Sequence, residues 1–299
     1  MSFNDNVRID PSRVNDRRGR GRGAAVGGGV GGGLLLILSL IFGPGVVDQL
    51  GLTDGTTTTQ EQIGESAITD CVSGAEANER LDCRIVATAE SLDSFWLPYL
   101  DRFGVTYTPP EVELFTGRTN TGCGAATSAV GPFYCPVDEQ TYYDTAFFDE
   151  LVTRFGASSG PLAQEYVVAH EFGHHIQKLI GTLDAAQQDP RGPESGGVRV
   201  ELQADCFAGM WAANATSVPD PDSGEPFLRP FTTTDLQDAL SAAASVGDDR
   251  IQEAATGQVN PEGWTHGSSA QRQAWFTEGF EMGDIRSCDT FAAENLDAP

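Results

Sequence analysis

The chain has 299 residues, 43 acidic against 18 basic side chains and a formal net charge of −25. So acidic a chain repels a polyanion, which excludes DNA and RNA as partners, while its length allows a domain with a substantial core.

The charges are unevenly placed. Residues 1–22 hold Arg8, Arg13, Arg17, Arg18, Arg20 and Arg22 against Asp5, Asp10 and Asp16, and read as a basic cytosolic tail. Gly23 to Val47 carries no charged side chain, and Leu34 to Phe42 is almost wholly aliphatic. A stretch of that length can cross a bilayer. The basic flank before it puts the N-terminus inside and the acidic bulk outside. A cleaved signal peptide competes with this reading, but no A-x-A-like site follows the apolar core; a non-spanning tail is the third option. Residues 48–65, with Thr56 to Thr59 among Gly, Gln and Glu, read as a linker, and residues 66–299 as one domain. The expectation is a single-pass membrane protein with its C-terminal domain extracellular.

Within that domain the reading is α+β and mainly helical. Leu81, Ile85, Leu92, Phe95 and Trp96 predict a helix over 78–100. Strand-like runs at 112–115 and 131–145, broken by Gly and Pro, predict a small antiparallel sheet. Pro161 opens a helix that Gly181 closes. A polar connection (184–197) leads to a second helix over 198–214. A proline-rich loop (219–230) then precedes helices at 234–246 and 268–282. Cys71, Cys83, Cys123, Cys135, Cys206 and Cys288 all follow residue 47, and an even number in an exported domain reads as disulfides. Proximity pairs Cys71 with Cys83 and Cys123 with Cys135, leaving Cys206 with Cys288; unpaired structural thiols are the alternative.

The first of the paired helices carries His170-Glu171-Phe172-Gly173-His174. Residues four apart share a helix face, so His170 and His174 can grip one ion, with Glu171 placed to take a proton from metal-bound water. A catalytic zinc site needs a third protein ligand and an open position. Glu201, in Glu201-Leu202-Gln203-Ala204-Asp205, is the choice for that ligand. Asp205, one turn on, would accept the distal N–H of a ligating histidine. Both acids sit among Val198, Val200, Leu202, Phe207 and Trp211, and buried carboxylates must be paired or bind metal. Zinc suits a mixed His/carboxylate set, although spacing alone also admits manganese or iron.

These motifs resemble the neutral zinc metallopeptidases of bacterial membranes. The resemblance includes Gly131-Pro132-Phe133-Tyr134-Cys135-Pro136, Tyr142 to Phe148, Tyr166 through Gln177, Glu201 to Cys206, Gly247-Asp248-Asp249 and Thr265 to Ser269. It implies a membrane-tethered, zincin-like zinc peptidase built on the helix pair just described.

Other residues leave alternatives open. His266 could stabilise an oxyanion, ligate zinc in place of Glu201, or simply hydrogen-bond where it leads into a helix. His175 points about 100° from His174 and belongs to packing. Asp220, Asp222 and Glu225 could bind calcium or form an acidic turn. Tyr142 and Tyr143 could border the cleft or lie in the core. An extended peptide substrate would lie along a strand edge in the segment 134–148. A non-catalytic zinc-binding envelope module, and a zinc hydrolase acting on a non-peptide amide, are the competing functions.

Overall fold

The computed structural model of the protein describes residues 2–18 and 68–299. The expected span at 23–47 and linker at 48–65 lie outside the described residues. Among the described residues no helix is long and apolar enough to cross a membrane.

In chain order the elements are β1 (Asn15–Asp16), α1 (Gly74–Glu79), α2 (Leu81–Asp101), β2 (Glu111–Phe115), β3 (Arg118–Thr121), β4 (Gly124–Thr127), β5 (Phe133–Cys135), β6 (Gln140–Asp144), α3 (Thr145–Thr153), α4 (Pro161–Ile180), α5 (Ala185–Gln188), α6 (Gly196–Ala215), α7 (Thr233–Ser245), α8 (Asp248–Thr256) and α9 (Ser269–Met282). The fold is α+β and mainly helical, as expected.

Local chemistry explains most helix ends. Pro161 starts α4 and Gly181, at φ +83°, stops it; proline is tolerated in the first turn and glycine accepts the left-handed cap. Ser195 caps α6 by accepting the Val198 N–H. Thr232 with Asp235, and Ser268 with Gln271, form reciprocal capping boxes for α7 and α9. Packing is tightest between α6 and α9. A Cβ at Gly279 would fall 1.9 Å from the Cys206 carbonyl oxygen, and one at Gly209 would fall 2.0 Å from that of Phe276. These two glycines let the helix backbones touch. Trp96, Trp211 and Phe207 fill the space between α2 and α6.

The sheet departs from expectation. Its order is β1-β2-β6-β5, with β1–β2 and β2–β6 parallel and only β5–β6 antiparallel. β3 and β4 form a separate antiparallel hairpin. The parallel pairing arises because the whole of 116–139 crosses over between β2 and β6. Residues 145–148, which close the segment 134–148 expected to carry the strand edge, belong to α3, because Asp144 accepts the Ala146 N–H and starts a helix.

Residues 2–18 were expected as a tail apart from the domain, and this is corrected. Phe3 and Val7 are fully buried, and Ile9 and Val14 nearly so. Asn4 N–H donates to Phe227 O at 3.0 Å, Gly74 N–H to Val7 O at 2.9 Å and Ile9 N–H to Val72 O at 3.2 Å. Arg13 pairs with Asp93 at 2.7 Å and Arg18 with Asp82 at 2.9 Å. The segment is amphipathic; its arginines meet acids of the domain while its apolar residues enter the core. Charge balance alone cannot reveal that.

The three disulfides are Cys71–Cys83, Cys123–Cys135 and Cys206–Cys288. The last ties α6 to the C-terminal turn.

Candidate active site

α4 and α6 cross at Gly173. A Cβ there would lie 3.0 Å from both the Cα and the carbonyl oxygen of Ala204, so the glycine inside the histidine motif sets how closely the helices approach. That crossing carries His170 and His174 to Glu201. His170 Nε2 lies 3.2 Å from Glu201 Oε2, and His174 Nε2 lies 3.6 Å from Glu201 Oε1. Donors bonded to one tetrahedral zinc at about 2.0–2.1 Å sit about 3.3 Å apart. The two imidazoles and the carboxylate therefore fit a zinc ion, and three protein donors leave one coordination position open. Among the described residues one other cluster has metal-ligand composition, Cys71, Asp82 and Cys83. Its cysteines are joined in a disulfide, and Asp82 pairs with Arg18 and Arg80.

Each histidine is oriented through its other nitrogen. His170 Nδ1 is 2.8 Å from Asp205 Oδ1, and His174 Nδ1 is 2.9 Å from Gln177 Oε1. Carboxylate and amide oxygens only accept, so Nδ1 carries the hydrogen in both rings and Nε2 is turned to Glu201. Gln177 is itself fixed, its Nε2 donating to Val200 O at 2.6 Å and to Gln203 Oε1 at 3.2 Å. Asp205 is fully buried. It accepts from Arg272 Nε at 2.8 Å, from Arg272 Nη2 at 2.9 Å and from the Tyr166 hydroxyl. Burial opposes its ionisation, but Arg272 and His170 hold it below the ordinary carboxylate value. Burial likewise pulls His170 down, yet Asp205 and Glu201 prevail and raise it to about 9. A metal must displace that proton to bind.

Glu171 is buried in the same cavity and hydrogen-bonds to none of the three donors. Burial raises its pKa, partly offset by His174 and His170. Glu201 is held well below the usual range because His266, His174 and His170 together outweigh its burial.

His266 lines this cavity but stands outside the donor cluster, so Glu201 is not displaced by it. Its Nδ1 lies 2.7 Å from Thr265 Oγ1 and 3.6 Å from Asp248 Oδ1. Asp248 Oδ2 accepts the backbone N–H groups of Thr265, His266 and Gly267 at 2.7, 2.6 and 3.0 Å. One carboxylate thus shapes the loop that presents the imidazole. Burial lowers the His266 pKa, but Glu201 and Asp248 raise it above its ordinary value.

His175 is buried and joins the helix to the edge strand. Its Nε2 donates to Thr108 O at 2.7 Å, and its Nδ1 lies 2.9 Å from the Tyr134 hydroxyl on β5. Lys178 adds a second tie, donating to Pro136 O at 2.5 Å and pairing with Glu139 at 2.9 Å. Tyr142 and Tyr143 do not border the cleft. Tyr142 stacks on Phe133 and Tyr143 is fully buried, whereas Tyr134 and Tyr166 line the cavity. Asp220 is no calcium ligand, since its carboxylate accepts the N–H groups of Arg8, Asp222 and Ser223. Arg272 escaped the sequence reading, and Gln177 and Asp248 entered it only as members of the matching motifs, with no role assigned. Gln177 lies three residues after His174, a spacing that could have found it; Arg272 offers no local signal.

The profile of a family described as "Putative neutral zinc metallopeptidase" matches residues 3–291. The chain is 56% identical over 229 residues to the uncharacterized protein Rv2575 of Mycobacterium tuberculosis, covering 77% of each chain. It is 39% identical over 296 residues to the uncharacterized protein YpfJ of Escherichia coli, covering 95% of this chain and 97% of that one. No solved structure matches it.

Proposed function

The chain belongs to the neutral zinc metallopeptidase family, and on that premise we propose that it is a zinc-dependent peptidase in which His170, His174 and Glu201 hold the metal and Glu171 moves the proton. The observation that carries this reading is the convergence of two histidine Nε2 atoms on one carboxylate, with Glu171 left beside the set as a buried, unligated acid. A structural zinc site would want a fourth protein ligand.

Zinc, when bound, acidifies water and polarises a carbonyl. Glu171 accepts the proton of the attacking water and returns it to the departing amine. His266, with Nδ1 beside Thr265 and Asp248, lines the cavity and donates from Nε2 to the oxygen of the tetrahedral intermediate. Asp205 and Gln177 keep the ligand rings in place. β5 is the edge of its sheet and lines the cavity, so an extended substrate adds to it through main-chain hydrogen bonds. The segment 140–144 is the interior strand β6, which leaves β5 as the docking edge.

The test compares the full chain with Glu171→Gln, measuring zinc by elemental analysis beside cleavage of a peptide library and of cell-wall amide fragments. Stoichiometric zinc in both, with peptide cleavage falling roughly a thousandfold in the variant, is expected. A folded protein without zinc, or cleavage indifferent to Glu171, would sink the reading. Cleavage of the amide fragments alone would move it to another substrate class.

A further inference from the structure

We propose that the Cys123–Cys135 disulfide is a thiol-exchange site on the wall of the active-site cavity, opened by a small-molecule thiol that attacks Cys123 Sγ, and that its opening lowers activity at the cleft. The site stands apart from the peptidase reading; its effect on cleavage rests on that reading.

The three disulfides differ in their surroundings. Cys71, Cys83, Cys206 and Cys288 are fully buried in the main core, which also holds Phe172 of α4 and Val198 and Leu202 of α6. Cys135 is fully buried too, but in a separate small cluster with Phe115, Ala126, Val130, Phe133 and Tyr142. Cys123 packs against that cluster and is the one cysteine of the six that is only partly buried. It lines the same cavity as His170, His174 and Glu201. That cavity, at about 380 Å³, is of the size that admits a small molecule. A disulfide exchanges where an attacking thiolate can reach one of its sulfurs. Burial denies that approach to five of the cysteines and leaves it to Cys123.

The exchange balances without a further reactant. The thiolate bonds to Cys123 Sγ, the Sγ–Sγ bond breaks, and its electron pair leaves on Cys135 Sγ, which takes up a proton. A second thiol then attacks the sulfur of the first and releases Cys123 as a thiol. Two thiols have become one disulfide, and the protein has gained two electrons and two protons.

The place of the bond gives the step its consequence. Cys123 lies in the turn between β3 and β4, which form a sheet of their own, and Cys135 lies in the edge strand β5. The disulfide fastens the tip of that hairpin to the edge strand. The Gly122 N–H, donating to Asp138 Oδ2 at 2.7 Å, is a second tie that reduction does not cut. It keeps the hairpin tip near β5, so the two thiols can close again. The helices that carry the metal donors belong to the other core, so opening acts at the cavity wall and leaves the donors in place.

The test treats zinc-loaded full-length protein, without denaturant, with rising concentrations of reduced glutathione. Each sample is alkylated and its cysteines are mapped by peptide mass spectrometry. Cys123–Cys135 is expected to open at roughly a tenth or less of the glutathione that opens the other two pairs, with the mixed disulfide on Cys123. After desalting, which removes free and metal-bound glutathione, the opened protein should keep its zinc and lose peptide cleavage several-fold. Oxidised glutathione should restore cleavage. Cleavage by the double variant Cys123→Ser, Cys135→Ser should not respond to glutathione. Another pair opening first or together with this one, or glutathione found on Cys135, overturns the site; this mapping uses wild type alone and needs no activity. Selective opening with undiminished cleavage overturns the effect on the cleft. Selective opening in a protein that cleaves nothing upholds the exchange site and sinks the peptidase reading.

Discussion

Arg272 meets Asp205 side-on along one edge of its guanidinium, Nε at 2.8 Å from Oδ2 and Nη2 at 2.9 Å from Oδ1, and both side chains are buried. The same carboxylate oxygen that takes Nη2 also takes His170 Nδ1. One acid thus serves a cation of α9 and a ligand ring of α4 at once, so its stabilising and metal-orienting roles can be separated by substitution.

Asp205→Asn should cost about 3–5 kcal/mol of stability, because Arg272 is left buried without its counter-charge. It should also weaken zinc binding roughly 10- to 100-fold. Adding Arg272→Met should restore most of the stability and none of the zinc affinity. Thermal melts and chelator competition read the two effects apart; recovery of both together would contradict the assignment.

Gln177→Met removes the acceptor of His174 Nδ1 and keeps the side chain's bulk. Zinc affinity should fall about tenfold, as measured by chelator competition. An unchanged affinity would show that the ring is oriented by something else.

Burial raises Glu165 from its ordinary 4.5 to about 7, against the opposing pull of the Ser2 hydroxyl and Arg84. Its Oε2 is buried without a hydrogen-bond partner. The folded value lies above the unfolded one, so stability from this group is complete below about pH 4.5 and is lost as pH rises through about 7. Glu165→Gln should match wild type at pH 4.5 and exceed it by on the order of 3 kcal/mol at pH 8. Melting curves at the two pH values check it; a difference that shrinks with rising pH would contradict the sign.

Cys206–Cys288 closes a loop of 82 residues. Replacing both cysteines with alanine should lower stability by about 4 kcal/mol, since a long loop gains most entropy when opened. Denaturant titration of the variant beside wild type, both under non-reducing conditions, should show that loss, and reduced wild type, with all three disulfides open, should lose more.

How much of this was legible beforehand depended on the range of each interaction. Spacing four apart on a helix brought out His170, His174, Glu201 and Asp205, because helical geometry is local. Pro161 and Gly181 marked the ends of α4 for the same reason. Arg272 reaches Asp205 across 67 positions, and nothing near it in sequence announces the partner. The parallel register of β2 with β6 was likewise hidden, since it depends on how residues 116–139 cross over. Asp144 turned an aromatic, strand-like run into α3 through a single cap hydrogen bond, which outweighed the pattern of Phe147 and Phe148.

The docking of residues 2–18 has a topological consequence. Arg18 and Cys71, which bracket the long intervening segment, sit within one body, because Arg18 pairs with Asp82, the neighbour of the cysteine that bonds Cys71. A chain that leaves this body and returns to it must come back to the face of the bilayer from which it set out. A single passage by residues 23–47 would place Phe3 and its core on opposite faces, so sidedness reporters attached before residue 18 and after residue 68 should agree.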